Sequence, residues 1–236
     1  MEKLIYTLWK PENRPAEDFN ASLLGPVRQQ LAGLGVERLQ VNVRDQAVAG
    51  STLELTMMRP SFDGMVCFWV NSANARKRVE AVLEAAAPRI AGYAVAESVI
   101  KGIGDRQKDG ERTRGFSQLA FLHKLPGITY EGFLEIWMRD QSIVGAETQS
   151  TFYYSQNIVT RHLTVGAPEW DGIVEECFPI EALTDPLVYW DADGKQEKYE
   201  ANYQREMTNV ARFLDSRVHV IITSQYRYGG WNDPPV

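Results

Sequence analysis

Trp170-Asp171-Gly172-Ile173-Val174 in the second half of the chain echoes Phe62-Asp63-Gly64-Met65-Val66 in the first. An internal echo at long spacing marks a repeated structural unit and has to be settled before any single segment is interpreted. Working outward from this pair, Leu119-Ala-Phe-Leu-His-Lys-Leu-Pro126 lines up with Leu4-Ile-Tyr-Thr-Leu-Trp-Lys-Pro11, and Glu131-Gly-Phe133 with Glu17-Asp-Phe19. Tyr154-Ser-Gln-Asn157 then matches Leu39-Gln-Val-Asn42, and Thr223-Ser224 matches Glu97-Ser98. The order is the same throughout and the offset drifts only where loops differ, so the chain reads as two copies of one half.

Each half has the same order of elements. Leu4 to Trp9 is apolar and aromatic and halts at Lys10-Pro11, a strand followed by a turn. Phe19, Leu23, Val27 and Leu31 recur every four positions and share a helix face, with Gly33 and Gly35 as the stop. Strands follow at 38–43 and 65–70, a helix at 73–86 and a strand at 93–100. The resulting βαββαβ order is the ferredoxin-like unit. One such sheet keeps an apolar face that its helices do not cover, and a second copy can bury it. The expected fold is therefore α+β, with two fused ferredoxin-like repeats whose antiparallel sheets face each other as a pseudo-dimeric barrel around an apolar pocket. Residues 1–101 form the first repeat, mainly scaffold; 102–114 form an exposed linker rich in charge and glycine; 115–228 form the second repeat, which would hold the site. Residues 229–236 are a tail, frayed or laid across a neighbouring subunit with Trp231 as anchor.

Composition narrows the function. With 236 residues, 44% of them hydrophobic, and a formal charge of −6, the chain is globular and acidic. Nucleic acid is a poor partner for it, because phosphate neutralisation needs clustered Lys and Arg. No apolar run approaches a membrane span and Met1 leads straight into a strand, so no membrane association and a cytoplasmic setting are expected. Cys67 and Cys177 sit in apolar strand patterns as small hydrophobes. No metal is expected, since no His-x-His, His-x-x-x-His or Cys-x-x-Cys spacing occurs, and no nucleotide, since Lys101-Gly-Ile-Gly-Asp105 lacks a third glycine.

All three histidines, His123, His162 and His219, fall in the second half. His123 stands where the first repeat has Leu8, on a strand face with Phe121, and an imidazole at a pocket mouth can move protons near neutral pH. His162 ends a strand and should be exposed. His219 begins the last strand as a satisfied edge histidine. Asp171 precedes Gly172 as Asp63 precedes Gly64, which suits a turn cap first and a catalytic carboxylate second. Glu175 shares its strand face with Asp171, while Glu176 takes the other. A carboxyl on either face, if pushed into an apolar cavity, would have a raised pKa and could donate a proton. Phe133, Trp137 and Gln141 share a helix face; Tyr154 and Gln156 share a strand face; Asn157 points the other way. Tyr154, Gln141, Gln156 and His123 among aromatic walls would suit a phenol or carbonyl ligand.

Phe133-Leu-Glu-Ile-Trp137, Tyr154-Ser-Gln-Asn157 and Trp170-Asp-Gly-Ile-Val-Glu-Glu176, set in two such halves, resemble the EthD-like proteins of the dimeric α+β barrel group. The family's helix motif has a histidine about four positions after its tryptophan, and Gln141 stands there. The resemblance implies a pocket for apolar, ring-bearing molecules and reactions that include cofactor-free oxygenation, cyclisation and dehydration. Related barrels can also hold haem through one histidine, but no cofactor is expected here. The leading expectation is a cofactor-independent enzyme, a lyase of dehydratase or cyclase type acting on an apolar or aromatic small molecule. His123 would move the proton with Tyr154 and Asp171, while Phe121, Trp137, Gln141, Gln156, Asn157 and Glu175 bind the substrate. A noncatalytic binding or accessory protein and a cofactor-free monooxygenase are the alternatives, and a homodimer is open.

Overall fold

The computed structural model describes residues 1–231. Among these, eight strands pair without a break into one closed antiparallel barrel: β1 (Glu2–Trp9), β2 (Glu37–Val43), β3 (Gly64–Val70), β4 (Arg89–Lys101), β5 (Phe116–Leu122), β6 (Tyr153–His162), β7 (Gly172–Phe178) and β8 (His219–Tyr228). The first four strands lie in the order 4-1-3-2 and the last four in the order 8-5-7-6. Two seams join them: β2 on β8, from Leu39 opposite Tyr228, and β4 on β6, from Tyr93 opposite His162. Register shifts between Ala94 and Val95 and between Val99 and Lys101 bend the 13-residue β4 along its seam. Closure leaves no unpaired strand edge. His219 is not at an open edge: it pairs with Phe121 of β5, the neighbouring Val220 is bridged on the other side by Leu55, and His219 is fully buried.

Period-two alternation divides each strand between two cores. Leu4, Tyr6 and Leu8 face outward and pack beneath α1 (Ala16–Ser22), α2 (Arg28–Gly33) and α3 (Lys77–Ala86), together with Phe19, Leu23 and Leu31. On the second half Val174, Val220 and Leu122 do the same beneath α4 (Tyr130–Glu135), where Phe133 stacks on Trp137 at 5.2 Å. Further helices over this half are α5 (Ser142–Thr148), α6 (Pro186–Tyr189) and α7 (Gln196–Val210). The expected continuous first helix is interrupted at Leu23–Val27 by a π turn carrying Pro26, and α4 runs into α5 through another at Ile136–Gln141. Proline has no N–H to close the regular ladder, and a π turn accommodates the gap.

Inside the barrel the expected apolar pocket is occupied by the protein's own rings. Phe62 lies 5.0 Å from Phe121 and 6.1 Å from Trp9, and Trp170 lies 5.6 Å from Phe121, with Ile5, Met65, Tyr93 and Ile221 in the same cluster. The cause is the 50–63 connection, which brings Phe62 to the barrel end and holds Trp9 through an Nε1–H bond to the Pro60 carbonyl of 2.9 Å. The 102–114 segment is less exposed than expected: Ile103 and Thr113 are buried, and Gly110 and Thr113 donate backbone bonds of 2.8 Å to Arg227 and Gln225 of β8. Trp231 packs at 5.0 Å on Trp69 of its own chain, and Arg227 lies 4.2 Å over its ring. The rest of the tail, 232–236, lies outside the described residues.

Candidate functional site

One register row crosses the outward face of the second-half sheet. Ile222 of β8 pairs with Gln118 of β5, Gln118 with Glu176 of β7, Glu176 with Tyr154 of β6, and Tyr154 with Lys101 of β4. The helices and the 180–190 segment cover this row, so Glu176 is buried beneath them, beside the apolar cluster of Val174, Leu122 and Phe133. No described residue donates a hydrogen bond to its carboxyl. The nearby cation does not help, because Lys101 Nζ donates to the carbonyls of Ala146 at 2.9 Å and Thr151 at 3.0 Å. Burial, and after it the Glu206 carboxylate, push Glu176 up to about 8, with Lys101 opposing. At neutral pH this is a protonated acid.

Glu206, on α7, is buried in the same layer but differently solvated. Gln141 Nε2 donates to it, Thr148 Oγ1 shares its one proton between Glu206 at 3.0 Å and the Val144 carbonyl at 2.9 Å, and Asn209 Nδ2 fixes the Gln141 amide by donating to its Oε1 at 2.7 Å. Gly145 of α5 lies over the junction, where a Cβ would sit 3.3 Å from Gln141 Nε2 and 3.5 Å from the Tyr154 ring. Gln156 Nε2 donates to Tyr154 Oη and to the Trp137 carbonyl, both at 2.8 Å. Burial, then Glu176, raise the Tyr154 phenol well above its ordinary value, so it remains a neutral hydroxyl.

A cavity of about 330 Å³ opens beside this row. Leu53, Leu55, Leu183, Pro186, Trp190 and Val220 supply apolar walls, and Gln118 and Tyr189 stand among them as polar groups. Tyr189 Oη and the Gln118 amide are hydrogen-bonded at 3.1 Å, and the Tyr189 ring stacks on Phe178 at 4.6 Å. The next residue along the register row from Gln118 is Glu176. An apolar chamber with a hydroxyl–amide pair in its wall can bind a ring and orient one of its oxygens, with the Glu176 carboxyl behind Gln118 in the register row.

The structure separates the residues that the sequence grouped. Trp137, Gln141, Tyr154 and Gln156 do come together in this layer. His123 does not join them: it follows the last residue of β5, half-buried, with its ring 4.7 Å from Trp170, and burial, then Arg217, lower its pKa. Asp171 accepts from the Lys124 backbone N–H at 2.8 Å, just as Asp63 accepts from Lys10 at 2.9 Å, so both cap the turn beside their strand. Phe121 lies in the barrel's aromatic cluster and Asn157 in its polar middle, where its Nδ2 donates to the Ile173 carbonyl at 3.1 Å. Glu175 also faces the interior, its carboxylate accepting from Gln40, Asn42, Ser117 and Gln225 at 2.8–2.9 Å. His162 is exposed against Tyr93, and His219 shares a 3.1 Å bond with Ser61 while burial lowers it to about 4. None of the three imidazoles enters the helix-covered layer, so it offers no histidine as an axial ligand for haem iron. Among the described residues no group of three or more His, Cys, Asp or Glu could hold a metal ion.

Sequence reasoning missed Glu206, Gln118 and Tyr189. Glu206 stands in a helix of mostly polar residues whose sparse stripe of Tyr199, Tyr203, Met207 and Val210 was the signal that could have marked its buried side. Gln118 could have been found by register, since it belongs to the same outward parity as Glu176 once β5 and β7 are paired.

No family model and no curated protein matches the chain. Among solved structures, an anthrone oxidase-like protein superposes on 97% of this chain and 93% of its own, with a TM-score of 0.54 at 8% identity. A protein from Fusobacterium nucleatum that carries the name monooxygenase covers 100% of this chain and 97% of its own (TM-score 0.52, 10% identity). A dye-decolorizing peroxidase from Bacteroides thetaiotaomicron covers 95% and 93% (TM-score 0.51, 6% identity). Likeness at such identities shows the fold alone, and the fold this chain shares with them is the dimeric α+β barrel.

Proposed function

We propose that this protein is a small-molecule enzyme that binds an apolar, ring-bearing substrate in the cavity beside Tyr189 and protonates it from Glu176. The observation that carries the reading is the placement of Glu176: a buried carboxyl with no hydrogen-bond donor among the described residues, next in register to the Gln118 amide that lines the cavity. Burying a carboxyl without partners costs several kcal/mol or forces it to hold its proton, and a fold keeps such a group where its proton is used. Gln118 and Tyr189 would orient a substrate oxygen, and Trp190 would face the ring. A neutral acid at neutral pH suits departure of a hydroxyl as water: Glu176 supplies the proton as the C–O bond breaks, and its carboxylate takes back the proton lost from the adjacent carbon as the C=C bond forms. The dehydratase or cyclase type of lyase is thus the finer reading. The catalytic role expected of His123 and Asp171 is not part of it, because Asp171 serves a backbone N–H and His123 lies at the strand end.

A cofactor-free oxygenase is the second reading, favoured by the oxidase-like and monooxygenase names of two proteins of the same fold. The two halves are also proposed to be fused copies of one ferredoxin-like unit of EthD-like type. The matched Asp63 and Asp171 caps, the matched π turns and the matched strand orders support this.

The test is a panel of hydroxylated and keto ring compounds, scored by thermal shift and by mass spectrometry for turnover. The expected result is a compound that stabilises the wild type, is turned over, and is bound without turnover by Glu176→Gln; Trp190→Ala should lose binding. Turnover that persists in Glu176→Gln would overturn the assignment. Binding without turnover by the wild type would indicate an accessory protein, and oxygen uptake during turnover the oxygenase.

A further inference from the structure

The two buried carboxyls of the second-half layer are solvated unequally, and the inequality has a direction. Glu206 accepts from the Gln141 amide and from Thr148 Oγ1, whereas Glu176 accepts from no described residue. Hydrogen bonds from N–H and O–H donors stabilise the ionised form, and a like charge nearby disfavours a second ionisation. From these contacts we infer that Glu206 is a positioning residue, holding the pair's single negative charge and thereby keeping the proton on Glu176. This rests on the role proposed for Glu176 and adds the group that sets its protonation.

The surroundings agree with this division of charge. From β4, Lys101 gives its ammonium protons to the Ala146 and Thr151 carbonyls. Tyr154 of β6 and Tyr189 of α6 are phenols raised well above their ordinary value, with burial the main cause and both glutamates contributing, so neither carries charge. Burial raises Glu206 above the ordinary carboxylate value as well, but there Thr148, Gln141, Gln149 and Arg205, itself tied to Glu147 at the surface, oppose the rise, whereas for Glu176 only Lys101 does. The proton is thus confined to one carboxyl by donors on α5 and on the π turn that precedes it. Two carboxyls that share one proton titrate as a pair, and the donors decide which of them keeps it.

Infrared difference spectroscopy across pH tests this on the intact protein without a substrate. The band read is the C=O stretch of the protonated acid, assigned to Glu176 by its loss in Glu176→Gln. With Glu206→Gln the like charge is gone, and the band should disappear about one pH unit or more lower than in the wild type, with Glu206→Asp restoring part of the difference. Thr148→Val, which removes one donor at little change in volume, should add a second protonated band by moving some of the proton to Glu206. The inference falls if the Glu176 band titrates at the same pH in the wild type and in Glu206→Gln. It falls equally if the wild-type band survives Glu176→Gln and vanishes in Glu206→Gln. A band that behaves as expected while Glu176→Gln retains full turnover would instead remove the catalytic reading and leave the charge assignment intact.

Discussion

Glu176 links stability to pH with a definite sign. The native protein holds its proton up to about 8, while an unfolded glutamate releases it near 4.5. Between those values the native state binds more protons, so this group's contribution to stability falls as pH rises through the window and levels off above about 8. Glutamine cannot titrate. Glu176→Gln should therefore match the wild type below pH 4.5 and exceed it by about 3–5 kcal/mol at pH 9, taking roughly 1.4 kcal/mol per pH unit. Urea melts at pH 4, 7 and 9 check this, and a wild-type midpoint that does not fall relative to the variant's between pH 5 and 8 contradicts it. Gly172 makes a second prediction at this scale. A Cβ there would stand 2.3 Å from the Trp137 ring, so Gly172→Ala has to displace the indole that α4 and its π turn press onto the sheet. The expected cost is about 1–3 kcal/mol, read from the shift in denaturation midpoint. Both residues were visible in the sequence, and so was the parity that separates Glu175 from Glu176. Which carboxyl would be starved of donors was not, because Gln40, Asn42 and Gln225 reach Glu175 from strands far away in the chain.

Most of the elements were legible. The strand from Leu4 to Trp9, the four-residue spacing through Leu31 and the strand near 65–70 mark their elements well, because each alternation or stripe is set by burial against a neighbour. The helix α7 shows where that signal fails. It buries Glu206 and Asn209, which share or border the face of Tyr199, Tyr203, Met207 and Val210 but which residue type alone assigns to solvent. Their burial is made tolerable by Gln141, which gives its Nε2–H to Glu206 and takes a bond from Asn209. Gln141 and Asn209 should therefore be energetically coupled: in a double-mutant cycle, Gln141→Leu and Asn209→Leu together should cost about 0.5–3 kcal/mol less than the sum of the two single changes. Additive costs would mean that the amide contact carries no stability. The connection at 50–63 was equally hidden. No local pattern announces that Phe62 will seal one end of the barrel or that Leu53 and Leu55 will wall a cavity against the 180–190 segment.

At the scale of the whole molecule, closure depends on the two seams and on the network around Glu175. Removing that carboxylate by Glu175→Ala leaves Gln40, Asn42 and Gln225 with buried donors directed at a void, so a loss of about 3–5 kcal/mol is expected, measured by thermal denaturation. Glu175→Gln, which keeps an acceptor of the same shape, should recover much of it. Residues 1–101 produced alone would expose β2 and β4 as bare edges and should self-associate or aggregate; a stable monomer by light scattering would contradict this. The sequence by itself determined the order of strands and helices, the internal echo built on Asp63-Gly64 and Asp171-Gly172, and the alternation that assigns each strand residue to a face, since these follow from local sterics and from the burial of one face. Only the tertiary structure decided which face holds which chemistry. It filled the barrel interior with rings and a satisfied carboxylate, and it placed Glu176, Glu206, Tyr189 and Gln118 together under the second-half helices. Those residues come from four separate elements, and such a meeting depends on register and packing rather than on any pattern within one segment.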